Sequence, residues 1–177
     1  RKLDVERIAA VAYGLSDNPR VIDVGCGNGD FTDKLYEVMP NTIGIDIKDF
    51  PDWEGKPYFY KRAAEKEKGK YDLAFLGWME LNEDYRKDTS KFADVIVTTY
   101  DIRGFCGIDG NVLFDSFGFK PVAFWWTPTW ADVDETLRST IFSTINKENF
   151  NYRDFHNIFD VYAKPELKDK IVSILKQ

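Results

Sequence analysis

Histidine and cysteine are almost absent from this sequence of 177 residues, which contains one histidine, His156, and two cysteines, Cys26 and Cys106. Structural zinc sites use four ligands, most often histidine and cysteine, so this composition argues against a metal site. Two cysteines also cannot form the disulfide framework that stabilises many small secreted domains. The sequence therefore predicts neither a metalloprotein nor a disulfide-rich protein.

Long apolar segments, a signal peptide, repeats and low-complexity tracts are likewise missing. A transmembrane helix needs about 20 consecutive apolar residues, so we expect a cytoplasmic protein that does not associate with a membrane. Positive charge is also scarce, because 24 Lys and Arg residues stand against 30 Asp and Glu residues, a formal net charge of −6. That balance disfavours a broad contact with the phosphates of a nucleic acid.

Hydrophobic residues make up 44% of the chain, which is enough for the core of one domain over residues 1–177. Apolar runs predict strands at 20–24, 41–46, 57–60, 71–78, 93–100, 119–126 and 157–163. Helical spacing predicts helices at 5–15, 31–39, 112–117 and 132–141, a polar helix at 82–91, and a last helix after Pro165. The charged run at 61–70 is predicted to be a solvated helix or loop. Strands that alternate with helices indicate an α/β fold.

The most informative stretch joins a buried strand to a helix through three glycines. Residues 20–24 form a short apolar run that is typical of a central parallel strand. Gly25, Gly27 and Gly29 follow, and glycine lets a ligand approach the backbone closely. The helix predicted at 31–39 begins directly after them, so its free N–H groups can face a polar ligand. The stretch therefore predicts a loop that binds a nucleotide cofactor.

Two kinds of nucleotide loop compete for this stretch. A dinucleotide site uses the spacing G-x-G-x-x-G, whereas here the third glycine comes one residue earlier. An acidic residue, Asp23, precedes the first glycine by two positions. Asp23 to Gly29 closely resembles the first motif of the class I S-adenosylmethionine-dependent methyltransferases. An NAD site and a turn without a ligand remain as alternatives.

The resemblance implies a fold and a cofactor site. The fold is a doubly wound, mostly parallel seven-stranded sheet with one antiparallel strand near the C-terminus, and the cofactor is S-adenosylmethionine. Asp46, which ends the next strand, would accept hydrogen bonds from the ribose hydroxyls. The implied cofactor-binding residues are Asp23, Gly25, Cys26, Gly27, Gly29, Asp46, Ile47, Ala63 and Trp78.

Two of these residues carry particular expectations. The family often places a polar residue after the third strand to hold adenine, but residues 62–64 offer no carboxylate, so backbone groups near Ala63 would serve instead. Trp78 ends the fourth predicted strand and would contact the sulfonium through a cation–π interaction. The alternative for Trp78 is a purely packing role.

Catalytic residues are expected in the loops that follow the fourth and fifth strands, because ligands bind at the carboxyl ends of parallel strands. Methyl transfer to an amine or hydroxyl also requires loss of a proton, which a general base assists. Glu80, Tyr100 and Asp101 are the candidates, with His156 more distant.

The acceptor is predicted to be a small molecule or a protein. Residues 76–81 lack the Asp/Asn-Pro-Pro-aromatic motif of amino-methylating nucleic-acid enzymes, and the Asp of the ribose methyltransferase tetrad is missing at the same place. An aromatic group near 124–130 either lines an acceptor pocket or belongs to the core: Phe124, Trp125, Trp126 and Trp130. An RNA methyltransferase, and a non-catalytic cofactor-binding subunit that needs a protein partner, remain as alternatives.

Overall fold

A single seven-stranded sheet forms the centre of the computed structural model, which describes residues 2–79, 83–101, 111–127 and 157–176. Its strands are β1 (Val21–Val24), β2 (Thr42–Asp46), β3 (Phe59–Lys61), β4 (Tyr71–Leu76), β5 (Ala93–Asp101), β6 (Lys120–Thr127) and β7 (Asn157–Ala163). They lie in the order β3-β2-β1-β4-β5-β7-β6, and β7 runs antiparallel to both of its neighbours. The predicted mostly parallel sheet with one antiparallel strand near the C-terminus is therefore confirmed.

Five α-helices accompany the sheet in the part of the chain that the structure describes. They are α1 (Lys2–Leu15), α2 (Asp30–Val38), α3 (Arg86–Thr89), α4 (Asn111–Ser116) and α5 (Lys168–Leu175). Short 3₁₀ turns occur at Pro51–Trp53, Ala64–Lys66 and Pro165–Leu167. None of the helices described has both the length and the apolar character that a membrane-spanning helix needs.

Side chains alternate between two cores, one on each face of the sheet. On β4, Leu73 and Phe75 face the core formed with α1, α2 and α5, while Ala74 and Leu76 face the core that contains Phe114 of α4. All four residues of β1 are buried. Burial on both faces explains why the central strands have continuous apolar sequences.

An aromatic cluster of Phe31, Phe75, Trp78, Phe159 and Trp125 crosses the first of these cores. The ring centroid of Phe75 lies 4.6 Å from that of Phe31, 6.0 Å from Trp78 and 6.2 Å from Phe159. Trp125 stacks on Phe159 with a centroid distance of 5.1 Å. The cluster thus connects α2, β4, β7 and β6 through direct ring contacts.

Trp125 is a core residue, as the packing interpretation of the aromatic group predicted. Its side chain is buried, and its indole N–H donates a hydrogen bond to the Asp4 carboxylate of α1 at 3.0 Å. Phe124, by contrast, is 66% exposed. Trp130 lies outside the described residues.

Two predicted elements were too long. The strand predicted to reach Trp78 ends at Leu76, because Trp78 has a positive φ of 50° that turns the chain away from the sheet. The polar helix predicted at 82–91 is wrong in extent, since α3 covers only Arg86–Thr89. Asp84 accepts a hydrogen bond from the N–H of Arg86, a local contact that competes with an earlier helical turn. The helix predicted at 132–141 lies outside the described residues.

Truncation of Phe75 tests the aromatic cluster. Phe75→Ala should lower the free energy of unfolding by about 3–5 kcal/mol, because it leaves a cavity between three other rings. Phe124→Ala, on the exposed side of β6, should change it by less than about 0.5 kcal/mol. Urea denaturation of both variants would measure the difference, and equal effects would contradict the described core.

Candidate cofactor site

A cavity of about 290 Å³ opens at the carboxyl ends of β1, β2, β3 and β4. Ligands bind in this position in doubly wound sheets. Six of the nine predicted cofactor-binding residues line it: Gly25, Cys26, Gly27, Asp46, Ile47 and Trp78. The remaining lining residues are Val24, Ile45, Lys48, Phe50, Arg62, Ala64, Gly77, Glu83 and Tyr85.

The glycine loop between β1 and α2 is held by hydrogen bonds to its neighbours. The N–H groups of Gly25 and Cys26 both donate to the carbonyl oxygen of Ile45, at 2.8 and 3.2 Å. The carbonyl of Gly27 accepts from the indole N–H of Trp53 at 3.1 Å. Every one of these partners lies on or just after β2, so that strand determines the shape of the loop.

Glycine is required at positions 27 and 29 of the loop for different reasons. Gly27 has a φ of 55°, and no atom lies within 4 Å of the place where a Cβ would stand, so it faces open space. Gly29 has a φ of 90°, and a Cβ there would come 2.3 Å from the ring of Phe59. Gly29 does not line the cavity. The closeness of Phe59 is enough to explain why this residue is a glycine, so no contact with a ligand is needed to explain it.

Asp46 ends β2 and faces the glycine loop. Its Oδ2 accepts a hydrogen bond from the N–H of Gly27 at 3.0 Å, and its Oδ1 accepts one from the N–H of Lys48 at 2.9 Å. A carboxylate has acceptor sites for more than these two bonds, so it can still receive hydroxyl groups from a ligand. Ile47, the next residue, is 53% exposed on the cavity wall.

Asp23 lies beneath the loop and does not line the cavity. It is 3% exposed, and its Oδ2 accepts a hydrogen bond from the hydroxyl of Thr32 at 2.6 Å. Burial raises the pKa of Asp23 to about 7, with the Thr32 hydrogen bond opposing the rise and the negative charge of Asp46 adding to it. A carboxyl group with this pKa changes its charge near neutral pH.

Cys26 lines the cavity as a neutral thiol. Burial raises its pKa above the usual value for a cysteine, and the charges of Asp23 and Asp46 raise it further. A thiol that stays protonated is a poor nucleophile. Among the described residues, no group of histidine, cysteine and carboxylate side chains is arranged to hold a metal ion.

The segment after β3 differs from the sequence prediction. Arg62 and Ala64 line the cavity, whereas Ala63 does not. The prediction of a solvated charged run is wrong for Glu67, whose side chain is 3% exposed and pairs with Arg62 at 2.6 Å. Burial would raise the pKa of Glu67, but hydrogen bonds from the N–H of Gly69 and from Arg62 outweigh it and hold the pKa below its usual value.

Trp78 stands where β4 gives way to the cavity. Its N–H donates to the hydroxyl oxygen of Thr99 at 2.9 Å. Its ring meets Phe31, Phe75 and Phe159 edge-on, at centroid distances of 5.8, 6.0 and 6.3 Å. Trp78 is thus packed against the core and also lines the cavity, and its contact with a sulfonium stays a prediction.

The three catalytic candidates are only partly covered by the structure. Tyr100 and Asp101 form the carboxyl end of β5, paired with Ile158 and Asn157 of β7. β5 lies beside β4 in the sheet, so the carboxyl ends of the two strands are neighbours, but both residues belong to the strand and not to the loop after it. Glu80 and His156 lie outside the described residues.

Tyr85 is the main cavity residue that sequence reasoning missed. It precedes α3, and its hydroxyl lies so close to Gly25 that a Cβ on that glycine would come 2.1 Å from it. Lys48, Phe50 and Glu83 were missed as well. Their only signal was their position in loops after β2 and β4, because none of them belongs to a motif.

The sheet order and the cavity above the glycine loop are those of a class I S-adenosylmethionine-dependent methyltransferase. A family model described as a methyltransferase domain matches residues 3–100 of this chain. The chain therefore belongs to this methyltransferase family, whose cofactor is S-adenosylmethionine, as the motif from Asp23 to Gly29 predicted.

Solved structures with this fold have low sequence identity to the chain. An S-adenosylmethionine-dependent methyltransferase from Archaeoglobus fulgidus is 17% identical, with a TM-score of 0.60 over 92% of this chain and 93% of that one. A magnesium protoporphyrin IX methyltransferase from Synechocystis with bound S-adenosylmethionine is 14% identical, with a TM-score of 0.58 over 92% and 79%. Identities this low establish a common fold alone.

Two curated relatives are tRNA (guanine-N(7)-)-methyltransferases. The relative from Christiangramia forsetii is 33% identical over 88 residues, which are 49% of this chain and 37% of the relative. The relative from Cytophaga hutchinsonii is 42% identical over 45 residues, 24% of this chain and 20% of the relative. The chain thus spans well under half the length of the curated relatives it matches.

The raised pKa of Asp23 predicts how stability depends on pH. Between the ordinary Asp pKa of 3.8 and about 7, the folded protein keeps the Asp23 proton that the unfolded chain loses, so the free energy of unfolding falls as pH rises through this window. Asp23→Asn keeps an acceptor for the Thr32 hydroxyl, and because asparagine does not ionise, its free energy of unfolding should not fall in this window. The variant should be more stable than the wild type at pH 8, by up to about 4 kcal/mol.

Urea denaturation at pH 5 and pH 8 would measure this difference, which should be much smaller at pH 5. The exposed Asp52→Asn serves as the control and should show no such difference. An Asp23→Asn advantage that is the same at both pH values would contradict the assignment.

Proposed function

We propose that this protein transfers a methyl group from S-adenosylmethionine, bound in the cavity, to a small-molecule or protein acceptor. The observation that carries the proposal is the Asp46 carboxylate, which stands at the end of β2 and holds the Gly27 N–H beside open space. The volume of the cavity, the glycine loop and the Asp46 carboxylate fit a ligand that consists of a nucleoside and an amino-acid tail.

The lining residues suggest how the cofactor is held. Asp46 receives the ribose hydroxyls, and the backbone at Gly25 and Gly27 lies against the amino-acid part. Ile47 and Ala64 give an apolar wall for adenine, and the backbone on either side of Ala63, at Arg62 and Ala64, offers its polar partners. Cys26 and Gly29 shape the loop, and Asp23 supports it from beneath through its hydrogen bond with Thr32.

The chemistry needs little more from the protein than positioning. S-adenosylmethionine supplies a methyl group that its sulfonium has already activated. Holding the acceptor in line with the bond that breaks removes much of the entropic barrier, about 7–11 kcal/mol in well-oriented systems. Trp78 bounds the cavity on the side of β4, where its ring can face a positive charge. Glu80, Tyr100 and Asp101 are the proposed proton acceptors.

Charge and motifs favour one class of acceptor over another. The net charge of −6 and the missing Asp/Asn-Pro-Pro-aromatic motif favour a small molecule or a protein as the acceptor. In this proposal residues 1–177 form a single domain, and the protein works in the cytoplasm. The second candidate is an RNA methyltransferase, which the two tRNA methyltransferase relatives favour. A cofactor-binding subunit that needs a protein partner is the third.

Calorimetric titration tests the cofactor first. The wild type should bind S-adenosylmethionine and S-adenosylhomocysteine and should not bind NAD. Asp46→Ala should weaken both adenosyl ligands by about 1.5–3 kcal/mol, because it loses charge-assisted hydrogen bonds to the ribose. The exposed Asp52→Ala, nearby in sequence, should bind like the wild type. A loss below about 0.5 kcal/mol for Asp46→Ala would contradict the ribose role.

Methyl transfer from labelled cofactor to separated cell fractions tests the acceptor. Label in the small-molecule or protein fraction is the expected result. Label in RNA, abolished by ribonuclease, would replace the proposal with the RNA candidate. Cofactor binding without label in any fraction would favour the subunit that needs a partner.

A further inference from the structure

Two threonine side chains continue the contact between β4 and β5 at the point where β4 ends. The last paired residues of these strands are Leu76 and Thr98, and β5 then runs on to Asp101. The hydroxyl of Thr98 donates to the carbonyl oxygen of Leu76 at 3.1 Å, and the hydroxyl oxygen of Thr99 accepts from the N–H of Trp78 at 2.9 Å. At the end of β4, hydrogen bonds of these two side chains therefore take the place of backbone hydrogen bonds between the strands.

The Thr99 contact acts on a residue with an unusual backbone. Trp78 has a φ of 50°, and among the described residues no other residue except glycine has a positive φ. Such conformations persist only where the surrounding structure holds them. Thr99 is completely buried, so the bond to Trp78 is shielded from competing water.

A hydroxyl at this position is not needed for the strand itself. Valine has nearly the same shape as threonine and is equally suited to a buried strand. What valine lacks is the oxygen that receives the Trp78 N–H, which would leave a donor without this acceptor. The oxygen therefore has a local purpose, and the residue on which it acts lines the cavity.

We propose that Thr99 is a positioning residue, whose hydroxyl oxygen holds the Trp78 backbone so that the indole bounds the cofactor cavity. The role in binding rests on the proposed function, namely that this cavity takes S-adenosylmethionine. The role in placing Trp78 does not depend on a ligand. The two parts can therefore be tested separately.

The unliganded protein tests the placement of Trp78. Fluorine NMR of protein labelled with 5-fluorotryptophan resolves the five tryptophans, and Trp78→Phe assigns the resonance of interest. Thr99→Val should shift or broaden the Trp78 resonance. Thr99→Ser, which keeps the oxygen, should give the same Trp78 resonance as the wild type. Thr99→Ala serves as a second deletion of the hydroxyl if Thr99→Val does not fold.

A matched control is available at the start of β2, away from the contact between β4 and β5. Thr42 is also buried, and its hydroxyl donates to the carbonyl of Met39 at 2.7 Å at the start of β2. Thr42→Val removes a comparable hydrogen bond and should leave the Trp78 resonance unchanged. A Trp78 resonance that responds equally to Thr42→Val would reduce Thr99 to a general contributor to stability and overturn the proposal.

Titration with S-adenosylhomocysteine tests the consequence for binding. Thr99→Val should bind about tenfold more weakly than the wild type, which corresponds to about 1.4 kcal/mol. Thr99→Ser and Thr42→Val should stay within about twofold, or about 0.4 kcal/mol. An unchanged Trp78 resonance together with unchanged affinity in Thr99→Val would overturn the proposal. A wild type that binds neither adenosyl ligand refutes the proposed function instead, while the NMR comparison still decides the placement of Trp78.

Discussion

The hydrogen bonds between the glycine loop and the end of β2 are the constraint on which the site depends. Ile45 binds the N–H groups of Gly25 and Cys26, and Asp46 binds that of Gly27. Trp53, just after β2, binds the carbonyl of Gly27. These bonds restrict how the loop can rearrange. A loop that is held in this way loses less conformational entropy on binding a ligand than one that must order itself.

The predictable part of this protein was the part whose chemistry is local in sequence. Strand, glycines and helix follow one another without interruption, so both the loop and Asp46 could be identified. Tyr85 could not, because its contact with Gly25 depends on how the chain returns after β4. The end of β4 was also misjudged, since apolar residues continue to Trp78 and only its backbone angle ends the strand. Glu67 was expected in solvent because the pattern of charges does not reveal that its side chain is buried and paired with Arg62.

The cavity over β1 to β4 is formed by described residues, and the family model covers the same part of the chain. Acceptor specificity in doubly wound folds comes from loops rather than from the sheet. The tRNA methyltransferase relatives match less than half of the chain, and the net charge of −6 points away from a phosphate backbone.

Trp78 belongs to two parts of the molecule at once. On one side Trp78 faces the cavity. On the other side a row of rings leads from Trp78 through Phe159 to Trp125, whose indole N–H donates a hydrogen bond to Asp4 of α1. A substitution that reshapes this wall of the cavity must also repack that row. A change of specificity would therefore disturb folding least at cavity residues that do not share this core.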